Sequence, residues 1–431
     1  MSVPAQRWLG AVRQMPRFAR VGRLQRVSAA VIESLGPPCA LGDVLRLGRV
    51  PAMVVGLDGG RVRLMPLEDA QSVRPDARVE GNEGPLALPV GDGLLGRVVD
   101  ALGRPLDDEG PIRAAERRPA VDRAPQPLRR QPVDTWFRTG IKSIDTLAPL
   151  GRGQRVGLFA GSGVGKSTLL AMIVRAAAAD AAIVCLVGER GREVGEFVHD
   201  TLGDAIAHTT VVVSTSDEPA PMRSVAPQYA TALAEWHRDR GRHVLLVVDS
   251  ITRYAMALRE IGLQGGELPT ARGYTPSVFT AIPRLLERAG TAAQGSITAI
   301  YTVLVEGDDM EEPLADTVRG TLDGHIVLSR ALAEGGHYPP IDPLRSVSRL
   351  TGRVSTPVHL GLARRFRELW ATYDRNADLI RIGAYAPGSD PVLDTAIARL
   401  PAMRSMLRQG VDEVPGETPE ALLNGAVEGA L

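Results

Sequence analysis

Residues 160–168 read Ala160-Gly161-Ser162-Gly163-Val164-Gly165-Lys166-Ser167-Thr168, directly after the apolar run Val156-Gly157-Leu158-Phe159 and before Leu169-Leu170-Ala171-Met172. A buried strand, a glycine-rich turn and a helix start, in that order, make a phosphate-binding loop. Gly161, Gly163 and Gly165 give the backbone the freedom to bring main-chain N–H groups against an anion. The helix N-terminus behind them favours negative charge. The lysine is informative because the chain has only two, Lys142 and Lys166, against 48 arginines. Arginine is a planar fork, whereas lysine is a compact charge on a flexible stem. Position 166 keeps the cation able to reach between the β- and γ-phosphates of a nucleotide, and Ser167 is placed to offer its hydroxyl to Mg²⁺. The strict pattern has glycine at 160; Ala160 is small enough for the same turn.

Outward from this loop, residues ~138–350 alternate strands and helices. Apolar runs at 183–187, 210–213, 244–248 and 297–304 look like strands buried on both faces. Helical stretches at 222–238 and 278–288 lie between them. Such alternation implies a mainly parallel sheet covered on both sides. Before it, residues 22–115 carry short β-rich segments between Gly, Pro and Asp turns. Leu57-Asp58-Gly59-Gly60 followed by Arg61-Val62-Arg63-Leu64-Met65 is a hairpin signal, and the spacing suggests a small barrel or sandwich. Residues 116–137, rich in Pro and Arg, read as an extended linker. Residues 357–431 turn helical: Leu362, Phe366, Leu369, Trp370 and Tyr373 fall at helical spacing, read first as core and second as a docking face. Thr418 with Pro419 marks a last helix start. The expectation is an α/β chain: an N-terminal segment (1–21), a small β-barrel (22–115), a linker (116–137), a nucleotidase core (138–356) and a C-terminal helical domain (357–431).

Composition narrows the function. The chain has 431 residues, a formal net charge of zero and 4% aromatics, so no basic balance or stacking surface argues for nucleic acid. Cys39 and Cys185 match no metal spacing and suit a reducing cytoplasm. No apolar run approaches the ~18 residues that span a bilayer, and no signal peptide is expected. Residues 1–26 carry Arg7, Arg13, Arg17, Arg20, Arg23 and Arg26, with no acidic residue before Glu33. This segment reads equally as a basic amphipathic stretch for a membrane or partner helix, or as a solvated terminus.

Two strand ends carry candidate chemistry. The run 244–248 ends in Asp249, placed to hold Mg²⁺. The strand before Gly188-Glu189-Arg190-Gly191-Arg192-Glu193 ends where ligands bind in open α/β sheets. There Glu189 would polarise a water for in-line attack, Arg190 would neutralise charge on the transferred phosphoryl group, and Glu193 would orient metal-bound water. A solvated charged turn is the plainer reading of that stretch taken alone.

Gly188–Val194 after the phosphate loop resembles the catalytic subunits of the rotary ATP synthase superfamily, whose core is RecA-like, and within it the ATPase of type III protein export, above all its flagellar branch. The likeness extends through Leu95–Gly103, Gly151–Arg155, Asp249–Ala257, Arg272–Phe279, Gly336–Asp342 and Gly383–Pro391, about residues 22–410. It implies ATP and Mg²⁺ as ligands, bound at Gly161, Ser162, Gly163, Val164, Gly165, Lys166, Ser167 and Thr168. It implies Glu189 as general base or water-positioning carboxylate, and Lys166, Arg190 and Arg253 on phosphates. Ser167 and Asp249 would serve the metal, with Glu193 beside it, and Tyr338 would stack on adenine. Arg349 would be an arginine finger reaching the neighbouring subunit's nucleotide, which implies a homohexamer.

The resemblance further implies a cytoplasmic protein, peripheral at the inner face of the bacterial inner membrane. Its expected partners are a stator-type regulator at the N-terminal region, a coiled-coil central stalk protein, chaperones, export substrates and the export gate. The acidic stretch Glu306–Pro313 would precede a helix facing the ring's centre, or is a solvated loop. Asp134–Lys142 is nearer the ATP synthase style than the flagellar one. The rival readings are a virulence injectisome ATPase, a hexameric RNA or DNA translocase and a non-enzymatic ring scaffold.

Overall fold

The computed structural model describes residues 20–428 apart from 29, 72, 82–84 and 306–308. The N-terminal basic segment, up to residue 19, and the start of the acidic stretch lie outside the described residues. The chain divides into two compact units: residues up to Leu86 with Pro219–Pro221 and Glu260–Leu268, and the remainder.

The first unit is built on a closed six-stranded barrel in the order Val21–Val27, Ile32–Leu35, Arg61–Pro66, Val50–Asp58, Val44–Leu47, Arg78–Glu80. Alternation explains it. Along Val50–Asp58 the side chains are buried and half-buried in turn, the period of a strand with one face on a core. Ile32, Val54 and Leu64 meet inside. The predicted hairpin forms, with Asp58 opposite Arg61. Gly59 and Gly60 take φ of 53° and 85°, the pair of left-handed residues that a tight hairpin turn requires. The barrel closes at Glu80, short of the residue 115 that the turn spacing suggested. Val98–Asp100 instead pairs in parallel with Thr209–Thr215 at the end of the large sheet. Glu116–Pro119, expected as linker, pairs with Ala87–Val90. A three-residue strand is too short for its periodicity to declare which sheet it joins.

The second unit holds that sheet, ordered Val347–Ser348, Gly324–Val327, Arg155–Ala160, Ser296–Leu304, His243–Asp249, Ala181–Glu189, Thr209–Thr215, Val98–Asp100, with Gly290–Thr291 beside Ser296–Leu304. Its inner strands are parallel and buried along nearly their whole length, as the continuous apolar runs predicted. Helix Lys166–Ala176 leads from Arg155–Ala160 to a strand three places away, skipping two strands that are filled later in the chain. Such a reversal opens a crevice at the carboxyl ends of the strands.

Helices Pro357–Arg381, Pro391–Leu407 and Pro419–Val427 share one core, where Leu362, Phe366, Leu369 and Trp370 are buried and Tyr373 packs beside them. The helical stripe is therefore core. Asp390 and Thr418 cap the second and third helices through side-chain oxygens, each with proline at the first helical position.

One buried ion pair ties distant segments of this unit. Arg288 donates to both Glu235 carboxylate oxygens at 2.9 and 2.7 Å, and to Ala120 O and Gln228 Oε1. The two charged side chains are 1% and 3% exposed. Removing one partner of such a pair strands the other charge, at a cost of about 3–5 kcal/mol. Glu235→Ala is therefore expected to lower the urea midpoint of this unit sharply, while Glu235→Gln, which keeps one acceptor, costs less. Equal, small shifts for both would show the pair to be dispensable.

Candidate active site

The loop after Arg155–Ala160 turns through left-handed backbone at Gly163 (φ 77°) and Gly165 (φ 89°), and Gly165 stands just before helix Lys166–Ala176. A Cβ at either position would strain the turn. Val164 is 2% exposed and belongs to the core, so its side chain anchors the loop and only its backbone faces an anion. The rest of the loop, Gly161 to Gly163 and Gly165 to Thr168, lines a cavity of about 450 Å³.

Across that cavity stand the ends of two other strands. Lys166 Nζ pairs with Asp249 Oδ1 and lies 3.5 Å from Glu189 Oε1. Asp249 is 2% exposed, and its Oδ1 also accepts from Thr302 Oγ1 at 2.6 Å. The strand carrying Thr302 lies between those of the loop and Asp249, so the intervening strand itself aims the carboxylate. Burial pushes the Glu189 carboxyl above its ordinary value; the Asp249 charge and a hydrogen bond with Glu193 act in the same direction, while Lys166 opposes them. Arg190 is exposed, with Nη1 3.4 Å from Glu193 Oε1.

Arg253 enters beneath Gly188. A Cβ on Gly188, which has φ of 68°, would stand 3.1 Å from Arg253 Cβ and Cγ, so glycine leaves the room the arginine occupies. Arg253 N donates to Ser250 Oγ. Its Nε is buried without a hydrogen-bond partner, a cationic donor beside the cavity that a phosphate oxygen would satisfy.

Two predicted residues stand apart. Tyr338 is half-exposed; its ring edge lies 3.7 Å from where a Cβ on Gly165 would sit, so it packs against the loop without lining the cavity. Arg349 is exposed and its Nη2 lies 3.4 Å from Arg319 O. Its N–H bonds Asp323 O, and Asp323 N–H bonds the carbonyl of Arg155, the first residue of the strand that ends in the loop. Arg349 therefore sits at the opposite edge of the sheet and does not join the cavity of its own chain.

Ser167, Asp249 and Glu193 offer hard oxygen donors. Among the described residues no cluster of three or more His, Cys, Asp or Glu could cage an ion. That donor set fits Mg²⁺, which keeps its waters and arrives on phosphate oxygens rather than in an all-protein site. Sequence reasoning passed over Thr302, Ser250 and Ser216, the last also at the cavity wall. Thr302 had a signal: it is a hydroxyl inside the apolar run Ser296–Leu304, and buried hydroxyls need partners.

Residues 140–348 match the nucleotide-binding domain of the ATP synthase alpha/beta family, and residues 355–416 match the T3SS EscN ATPase C-terminal domain. The fold and the site thus define a phosphate-loop ATPase of the ATP synthase alpha/beta kind. The chain is 48% identical over 416 residues to the flagellum-specific ATP synthase of Bacillus subtilis (strain 168), covering 95% of each. It is similar to the assembled ATPase EscN from the type III secretion system of enteropathogenic E. coli, with a TM-score of 0.90 at 41% identity, covering 94% of this chain and 100% of that one. It is also similar to EscN in complex with its central stalk EscO, with a TM-score of 0.86 at 40% identity, covering 94% and 98%. This chain belongs to the family of flagellum-specific ATP synthases and type III secretion ATPases.

The raised Glu189 carboxyl has a thermodynamic consequence. An acid whose folded pKa lies above its unfolded value, about 4.3 for glutamate, subtracts stability as pH rises past that value. Glu189→Gln removes that burden. Its melting temperature, relative to the parent protein, is expected to be higher at pH 7.5 than at pH 4.5. A difference independent of pH would contradict the raised carboxyl.

Proposed function

We propose that this chain is a Mg²⁺-dependent ATPase that works as a homohexameric ring and energises protein export through a flagellar type III apparatus. The observation that carries the catalytic part is the placement of Glu189 beside Lys166 at the mouth of the phosphate loop, with a carboxyl raised by burial. A carboxylate poised in this way is a better proton acceptor than a solvated one. Glu189 holds the attacking water in line with the γ-phosphorus and takes its proton.

Lys166 stands on the β- and γ-phosphates, which compete with Asp249 for its ammonium group. Arg253 offers its unpaired Nε–H to a phosphate oxygen, and exposed Arg190 turns to the charge on the transferred phosphoryl group. Ser167 and Asp249 would hold Mg²⁺, with Glu193 toward its waters; the ion supplies charge neutralisation on the phosphate oxygens. Tyr338, packed against Gly165, is the platform for the adenine ring. Val164, Ser162 and Thr168 contribute backbone and hydroxyl contacts to the phosphates.

The distance of Arg349 from its own cavity supports its use on a neighbour's nucleotide. A chain that carries both the loop and the finger completes its sites only in a closed head-to-tail ring. The likeness to EscN bound to its central stalk EscO supports a central stalk protein as partner, and the same reading makes that stalk a coiled coil. A stator-type regulator, chaperones, export substrates and the export gate belong to the same reading. So does a cytoplasmic place peripheral at the inner face of the membrane; no helix among the described residues is long and apolar enough to cross one. The likeness to EscN and the match of the C-terminal domain equally favour an injectisome as the machine served. The sequence of Gly383–Pro391 tips the reading to the flagellum.

ATPase rate per protomer, measured against protein concentration with Mg²⁺, tests the shared site. The rate is expected to rise steeply and saturate as rings form. Glu189→Gln is expected to abolish turnover while ATP still binds, and Arg349→Ala to lose ~10³–10⁵ in rate with nucleotide affinity largely kept. An active monomer by sizing would overturn the ring, and normal turnover in Glu189→Gln would overturn the base.

A further inference from the structure

A second cavity, of about 470 Å³, shares no lining residue with the phosphate cavity. It lies between helix Arg330–Glu334 with the turn that follows, residues 342–345, and the helices Pro357–Arg381 and Pro391–Leu407. Its volume falls in the range of small-molecule sites, about 300–1,000 Å³. We propose that it is a binding site for a small aromatic anion, with Trp370 and Tyr373 receiving the flat ring, Arg345, Arg404 and Arg408 receiving the charge, and His337 hydrogen-bonding a polar atom between them.

The chemistry of the wall selects that class. Trp370 is 9% exposed and stacked on Phe366, with ring centroids 5.8 Å apart. It is therefore braced rather than mobile, and Tyr373 stands one helical turn on. Arg404 lies over the Tyr373 ring, 5.8 Å from its centroid, and with Arg345 and Arg408 it is exposed to solvent. Three guanidinium groups face two carboxylates, Asp342 and Asp374. One Asp342 oxygen is already taken by the N–H groups of Leu344 and Arg345. The lining is thus net positive, and arginine forks favour carboxylate, sulfonate or phosphate oxygens.

His337 is the independent mark of a ligand. It is 4% exposed, and its Nε2 has no hydrogen-bond partner. Burial lowers its pKa, and the charges of Arg408 and Arg404 lower it further, which favours the neutral ring. A neutral imidazole offers one donor and one acceptor. Buried polar groups are ordinarily satisfied, and a ligand oxygen in the cavity would satisfy this one.

The site is placed to report to the phosphate loop. His337 is joined directly to Tyr338, whose ring packs against Gly165, and Arg330, at the start of the lining helix, donates to Ser162 O at 3.4 Å. Occupancy would therefore bias how Tyr338 and the loop are held.

The probe is 1-anilinonaphthalene-8-sulfonate, an aromatic ring system with one anionic group, titrated by fluorescence and by calorimetry into the full-length protein with and without saturating ADP. The expected result is one probe per chain, undisplaced by ADP. In Arg404→Ala/Arg408→Ala, whose changed residues are exposed, the affinity is expected to fall at least tenfold while basal ATP turnover stays. Tyr373→Ala is expected to weaken binding in the same direction without altering charge. Displacement by ADP, unchanged affinity in both variants, or uptake without a defined stoichiometry would each overturn the site.

Discussion

The ammonium group of Lys166 sits between two carboxylates from different strands, Asp249 and Glu189. A single flexible cation can serve there because the sheet skips strands. The loop strand and the Asp249 strand are separated by one neighbour, and the Glu189 strand lies one place further. Strands ~4.8 Å apart put the three ends within reach of one lysine stem and no nearer. An arginine fork would demand planar, paired acceptors, which two carboxylates on separate strands do not present. In a chain that has turned nearly every other cation into arginine, the retained lysine answers to this geometry.

Around that pair the protein spends buried polar groups on position. Thr302 holds Asp249, Ser250 holds the backbone of Arg253, and Gly188 makes room for its side chain. Further off, Arg288 and Glu235 join helix Ala220–Arg238 to the turn after helix Pro276–Leu286 and to the segment near Ala120, and Gln228 passes the connection to Tyr254, the residue after Arg253. Such buried networks contribute little net stability beside apolar packing but leave few alternative arrangements. They suit a site in which each group must hold its place to a fraction of an ångström.

Much of this was legible in the chain. The apolar runs became buried parallel strands, and the stripe from Leu362 to Tyr373 became a helix core. Asp58-Gly59-Gly60-Arg61 became a hairpin turn, and Thr418 and Pro419 started a helix. All are local patterns with one dominant period. The chain is less legible where the local signal is short: Val98–Asp100, inside the β-rich stretch, completes the large sheet rather than the barrel, and Glu116–Pro119, inside the Pro- and Arg-rich stretch, forms a strand pair. Three or four residues carry too little periodicity to say which partner they find.

From the sequence alone came the phosphate loop, the acids that end two other strands, the α/β core and the order of its domains, because glycine spacing and apolar runs act through the nearest residues. The tertiary structure alone decided that Lys166 meets Asp249 and Glu189, that Thr302 aims the carboxylate, and that Arg349 stands at the far edge of the sheet. Those facts depend on strand order, and strand order is set by which faces can be buried together across more than a hundred residues of chain.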